Sequence, residues 1–195
     1  ALPIFMSHKR FISVSVMCSD LMALGKDIAD LQKYGTDMLH VDIMDAHFVP
    51  NLTFGPDFIK AMQRTTDMPL DIHLMVEDPE LILGRLDIRK GTLDFKELSN
   101  KVHEKGGLFG LAVNPETEIE KLETYLPYLD TVTLMLVHPG YAGAKMVDGI
   151  MNKVAQTRKY LDSKGYRNIL ISVDGSVSKE RAHAMAEMGA DIFVG

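Results

Sequence analysis

Short apolar runs alternate along the chain with longer segments of mixed polarity, and no other feature of the sequence restricts its fold as tightly. Runs of four to eight apolar residues bounded by turn signals read as buried strands, and apolar residues at three- and four-residue spacing read as amphipathic helices. Alternation of the two is the pattern of βα units around a parallel sheet. The expected strands are Ile12 to Met17, Met38 to Met44, Leu70 to Val76, Leu108 to Val113, Thr131 to Val137, Asn168 to Val173 and Asp191 to Val194. Helices are expected from Asp20 to Tyr34, Asp57 to Thr65, Pro79 to Leu86, Leu93 to Lys105, Glu118 to Tyr125, Asp148 to Lys164 and Ser178 to Met188. Asp20, Pro79 and Ser178 suit helix starts.

Seven strands are one fewer than a closed (β/α)8 TIM barrel contains. The rhythm breaks where the helix ending near Leu86 is followed by "DIRKG" and then at once by "TLDFKELSNKVHEKG", so that no strand separates Gly91 from Thr92. The last strand also stops at Gly195 with no helix to cover it. The expected fold is therefore α/β, a single (β/α)8 barrel domain over residues 7–195 that lacks one strand segment after Gly91 and the C-terminal helix after Gly195. An open parallel sheet of seven strands would leave backbone edges unpaired. Residues 1–6 resemble neither a fold element nor a signal peptide and read as an appended start.

Composition narrows the function classes. With 195 residues, 46% of them hydrophobic, the chain can bury one substantial core. A net charge of -6 without a basic run argues against nucleic acid as a partner. No stretch approaches the ~18 apolar residues of a membrane span. The lone Cys18 cannot form an internal disulfide, which fits a reducing, cytoplasmic setting.

Side chains on a strand alternate faces, so residues of one parity point into a barrel and the others meet the helices. Ser13, Ser15 and Met17 oppose Val14 and Val16; His40, Asp42 and Met44 oppose Val41 and Ile43. Asp71, His73 and Met75 oppose Ile72, Leu74 and Val76, and Ser172 and Asp174 oppose Ile171 and Val173. Polar residues thus face inward on four strands, where branched apolar side chains ordinarily fill a barrel. Clustered buried carboxylates cannot all stay ionised without a countercharge. One inward histidine alone would read as a hydrogen-bonded core residue. Two imidazoles and two carboxylates, His40, Asp42, His73 and Asp174, all near the carboxyl ends of parallel strands, read as ligands of one divalent metal ion. Such mixed ligation suits zinc, Fe(II), manganese or cobalt.

The segments "SVMCSDL", "LHVDIMDAHFVPNLTFGP", "DIHLMVEDPE", "LAVNPET", "LMLVHPGYAG" and "ISVDGSV", in that order, resemble the ribulose-phosphate 3-epimerase family over Phe11 to Gly195. The resemblance implies a (β/α)8 barrel in which His40, Asp42, His73 and Asp174 hold a divalent metal and Asp42 and Asp174 are the catalytic acid/base pair. It implies an isomerase of carbohydrate metabolism that inverts C3 of a phosphorylated ketose through an enediolate. The substrate would be a small sugar phosphate, and the assembly a homo-oligomer. Met17 and Cys18 after Ser15, "NPET", and "GYAG" in place of the commoner Gly-Phe-Gly-Gly resemble the branch acting on D-allulose 6-phosphate, which is expected slightly ahead of ribulose 5-phosphate. Inversion beside a carbonyl requires proton removal on one face and return on the other, so two acid/base groups must flank the sugar.

The resemblance also implies substrate contacts at Met44, Met75 and Met135, whose sulfurs would exclude water beside the reacting carbons, and at Ser15. Phosphate binding is expected from Gly140, Gly143, Gly175, Ser176 and Gly195, in the loops after the last strands. Here the chain departs from its relatives: Ala142 and Ala144 stand where Gly and Gln are common, His138 replaces an acidic residue, and Ala46 replaces Gly. His8, His103 and His183 are expected to be solvated, and His47 to be structural. Two rivals remain. A decarboxylase related to orotidine monophosphate decarboxylase would need a lysine that "HVDIMD" lacks. A non-catalytic barrel relative is suggested by the altered loop and the two breaks.

Overall fold

The computed structural model describes residues 10–79, 82 and 95–195. Among the described residues seven strands, β1 (Phe11–Ser15), β2 (Met38–Met44), β3 (Leu70–Met75), β4 (Gly110–Val113), β5 (Thr131–Met135), β6 (Leu170–Asp174) and β7 (Ile192–Val194), pair in parallel in the order β3-β2-β1-β7-β6-β5-β4. The α-helices described between them are α1 (Leu24–Lys33), α2 (Pro56–Thr65), α3 (Phe95–Glu104), α4 (Asn152–Ser163) and α5 (Lys179–Glu187). The sheet is strongly curled. In a flat sheet β3 and β6 would stand four strand spacings, roughly 19 Å, apart, yet ligand atoms from His73 on β3 and Asp174 on β6 belong to a group lying within 4.8 Å of one another. This is (β/α)8 geometry with, among the described residues, an opening between β3 and β4. The connection across that opening contains Gly91 and Thr92, and the expected break there lies outside the described residues. So does the expected Pro79 to Leu86 helix, apart from Pro79 and Ile82, and the start of the helix expected from Leu93.

Every residue of β2 is buried, because helices cover one face and the barrel interior the other. The outward residues Leu39, Val41 and Ile43 pack with Ile28 of α1 and Ile59 and Met62 of α2. A larger cluster joins Val132 and Leu134 of β5 and Ile171 and Val173 of β6 to Val154 and Leu161 of α4. The sequence parity is thus the parity of the fold. Helix α2 starts with Pro56, where a missing N–H costs nothing, and the hydroxyl of Ser178 accepts from the Arg181 backbone N–H at the start of α5.

Several expected elements differ at their ends, α4 among them, which begins at Asn152 and not at Asp148. The strand expected to reach Met17 ends at Ser15 and tightens into a 3-10 turn at Val16–Cys18. Asp20 caps a turn, its Oδ1 accepting from the Met22 N–H at 3.0 Å, and α1 begins only at Leu24. The helix expected over Glu118 to Tyr125 is two 3-10 turns, Ile119–Leu122 and Leu126–Tyr128. Pro127 cannot donate to a preceding turn and its ring would clash there, so the segment buries Ile119, Leu122 and Leu126 in short pieces instead.

Candidate metal centre and active site

Strand register assembles the centre in layers. His40 of β2 lies beside Ser15 of β1 and Asp71 of β3, and one inward step further Asp42 lies beside His73. Asp174 arrives from β6, where it pairs with Met135 and Val194. His40 Nε2 stands 3.2 Å from Asp42 Oδ1 and 3.5 Å from Asp174 Oδ2. His73 Nδ1 repeats those separations, 3.2 Å to Asp42 Oδ1 and 3.5 Å to Asp174 Oδ2. Four ligands bonded at about 2.0–2.2 Å would sit roughly 3.3–3.6 Å apart at the corners of a tetrahedron. The four nitrogen–oxygen separations stand near those values and all four atoms lie within 4.8 Å of one another, a donor set that fits a divalent ion.

The same imidazoles and carboxylates set one another's protonation. Burial alone would lower the pKa of His40, but its hydrogen bonds to Asp42 and Asp71 outweigh this and raise it well above the ordinary imidazole range. His73 is likewise opposed by burial and raised by Asp174 and Asp42, to about 9. Asp42 is held far below the usual carboxylate range, against burial, by His40 and His73. A charged imidazole cannot ligate, so metal uptake here must release protons.

Asp71, which carries no ligand assignment in the sequence reading, makes the shortest contact to His40, 2.8 Å from its Oδ2 to Nδ1. Ser13 Oγ donates to the same oxygen at 3.1 Å. Its signal was visible: Asp71 shares the inward parity of His73. Ser15 Oγ donates to Asp42 Oδ2 at 3.3 Å, so the hydroxyl contacts a carboxylate of the centre.

Above the centre opens a cavity of about 130 Å³ lined by Asp42, Asp174, Ser15 and the three methionines Met44, Met75 and Met135. Gly140, Gly143, Gly175, Ser176 and Gly195 line the same cavity, so every expected substrate contact falls on one wall or another of it. Cys18 and Tyr141 also line it. Both fall in segments that carry the family resemblance, but neither was expected to contact substrate, because a single cysteine and a loop tyrosine have no period or partner to mark them. Gly175 is required on two grounds: its φ is 110°, and an added Cβ would meet Val137 at 2.6 Å. Ser176 takes a left-handed φ of 55°, and the Arg181 guanidinium donates to its carbonyl at 2.7 Å and to its hydroxyl at 2.9 Å. Two bonds hold the mouth together: Asn51 Nδ2 donates to the Gly140 carbonyl at 2.8 Å, and the Tyr141 hydroxyl donates to the Pro50 carbonyl at 3.0 Å.

The other described histidines stand apart from the centre. His47 caps its own turn through the Asp45 carbonyl, at 2.8 Å, in keeping with a structural role. His183 is exposed. His103 is not simply solvated, because its Nε2 lies 2.7 Å from Asp130 Oδ2. His138 pairs with Glu116 on the surface. His8 lies outside the described residues.

The solved structures place the fold. A mutant tryptophan synthase α-subunit from Pyrococcus furiosus superposes with a TM-score of 0.66 over 97% of this chain and 87% of that one, at 14% sequence identity. That identity speaks for the barrel and for nothing finer. Sequence relatives are closer. The ribulose-phosphate 3-epimerase of Bacillus subtilis is 36% identical over 194 residues, covering 94% of this chain and 88% of that protein. That of Chlamydia pneumoniae is 38% identical, covering 94% and 84%. The chloroplastic ribulose-5-phosphate-3-epimerase of Arabidopsis thaliana is 33% identical, covering 97% and 71%. The expected lead of the allulose 6-phosphate branch finds no support in these names. A family description also matches residues 11–195, and with it the chain belongs to the ribulose-phosphate 3-epimerase family.

Proposed function

We propose that this isomerase, a single barrel domain over residues 7–195, interconverts ribulose 5-phosphate and xylulose 5-phosphate by inverting C3. The observation that carries the reading is the convergence of Asp42 and Asp174, from strands separated by β1 and β7, on the floor of one cavity walled by three methionines. A proton must leave C3 on one face of the sugar and return on the other. Asp42 and Asp174 take these two roles, one as base and the other as acid, and exchange them in the reverse direction. Asp42 is kept ionised by His40 and His73 and is steadied through its second oxygen by Ser15. Met44, Met75 and Met135 keep water from the carbanionic carbon. The backbone around Gly143, Gly175 and Ser176 receives the phosphate at the other end of the cavity. His40, Asp42, His73 and Asp174 would hold the divalent ion, which when bound supplies positive charge against the enediolate oxygens.

Pentulose is preferred over hexulose phosphate because the similar proteins carry the ribulose-phosphate name. The test is incubation with ribulose 5-phosphate, and in parallel with allulose 6-phosphate, in D₂O. Deuterium at C3 together with xylulose 5-phosphate formation is the expected result. Faster turnover of allulose 6-phosphate would reverse the substrate order, and absence of exchange with both sugars in metal-loaded protein would leave the non-catalytic reading standing.

A further inference from the structure

We infer that Asp71 is a positioning residue for the metal centre: it fixes the ring orientation and tautomer of His40 so that Nε2, and not Nδ1, is presented to the ion. The inference rests on the metal reading above and adds a residue to it.

Asp71 and His40 are register partners on adjacent strands, and both face inward. Asp71 lies two residues before His73 on β3, one layer deeper in the barrel, and its carboxylate is not part of the four-residue ligand group. It meets the far side of the imidazole, 2.8 Å from Nδ1, while Nε2 looks toward Asp42 and Asp174 at 3.2 and 3.5 Å. An imidazole that keeps its proton on Nδ1, donated to a carboxylate, has its remaining lone pair on Nε2. Ser13, fully buried, donates to Asp71 Oδ2 and holds the carboxylate in place. His40 is 2% exposed and bonds through Nδ1 to Asp71, so removing Asp71 takes away the carboxylate that holds that nitrogen. The ring would then turn over to recover a partner, or carry its proton on the nitrogen the ion needs. His73 is built the other way: it presents Nδ1, and among the described residues its Nε2 has no hydrogen-bond partner. His40 is thus the anchored ligand of the pair, and the anchor is Asp71.

The experiment is a zinc titration of chelator-treated protein in competition with a chromophoric chelator, together with the visible spectrum of the cobalt-loaded form. D71A is expected to bind zinc about 10- to 100-fold more weakly, the usual effect of removing an outer partner of a metal-bound histidine, and to show a changed cobalt spectrum. D71N keeps the shape and an acceptor for Nδ1–H, and so should recover part of the lost affinity. A D71A variant that melts at a lower temperature but binds zinc as tightly as the unaltered protein makes Asp71 merely structural and overturns the inference. Should D71A not fold, D71N decides: affinity below that of the unaltered protein supports positioning, and equal affinity overturns it. No zinc uptake by the unaltered protein overturns the metal reading, and this inference with it.

Discussion

Ala46 carries a left-handed φ of 61° at the turn that follows β2, where a side chain clashes with its own backbone. The turn persists because Asp45 organises it: its carboxylate accepts from the backbone N–H of Glu77, Phe48 and His47, and the same bonds lower its pKa to about 2. Replacing Ala46 by Gly removes the clash, and urea unfolding should show a gain of about 1 kcal/mol or less, since glycine also enlarges the unfolded ensemble. Asp174 sets a sharper test at the same scale. Asp174→Asn keeps the side chain's shape and an oxygen for the ion but removes a proton carrier, so epimerisation should fall at least ~10²-fold. Near-normal turnover with the metal retained would reduce Asp174 to a ligand.

At the scale of elements, the two faces of each strand do different work. Leu134 on the outward face of β5 is fully buried within the large cluster formed with β6 and α4. Leu134→Ala should destabilise the fold by about 2–5 kcal/mol while leaving metal stoichiometry unchanged, because it empties the layer behind the strand. Denaturant melts paired with elemental analysis of the folded fraction check both halves. The inward face behaves oppositely: His73→Ala should leave a folded barrel that no longer retains its ion.

Across the whole molecule, pH couples the centre to stability and to metal. The pKa of His73 in the folded, metal-free protein is raised from 6.5 to about 9, so its contribution is complete below about 6.5 and is lost as pH rises through about 9. Asp42 has the opposite sign: its depressed pKa gives stability present above the ordinary carboxylate range and lost as pH falls below it. The melting temperature of chelator-treated protein should therefore hold its highest values between about pH 4 and 6.5 and decline toward pH 9. Metal affinity should run the other way, rising over about pH 6 to 9 with measurable proton release, because the ion and the imidazole protons compete for the same lone pairs. A pH-independent affinity would show that the histidines are not the ligands.

The succession of strands, the faces they present and the shared inward parity of His40, Asp42, His73 and Asp174 were legible in the sequence, because alternation of side chains along a strand is a local geometric property that needs no partner to be known. The limits of β1 and α1 and the 3-10 turns around Pro127 were less legible, since capping bonds and packing shift element ends by a few residues. Asp71 could be seen to face inward, but its contact with His40 depends on the register between β2 and β3, which two strands must be paired to define. The cavity wall that brings Cys18 and Tyr141 beside Asp42 and Asp174 belongs to the tertiary structure. It arises from the curl of the sheet, which brings loops far apart in sequence over one mouth, and no periodicity within any single segment encodes that distance.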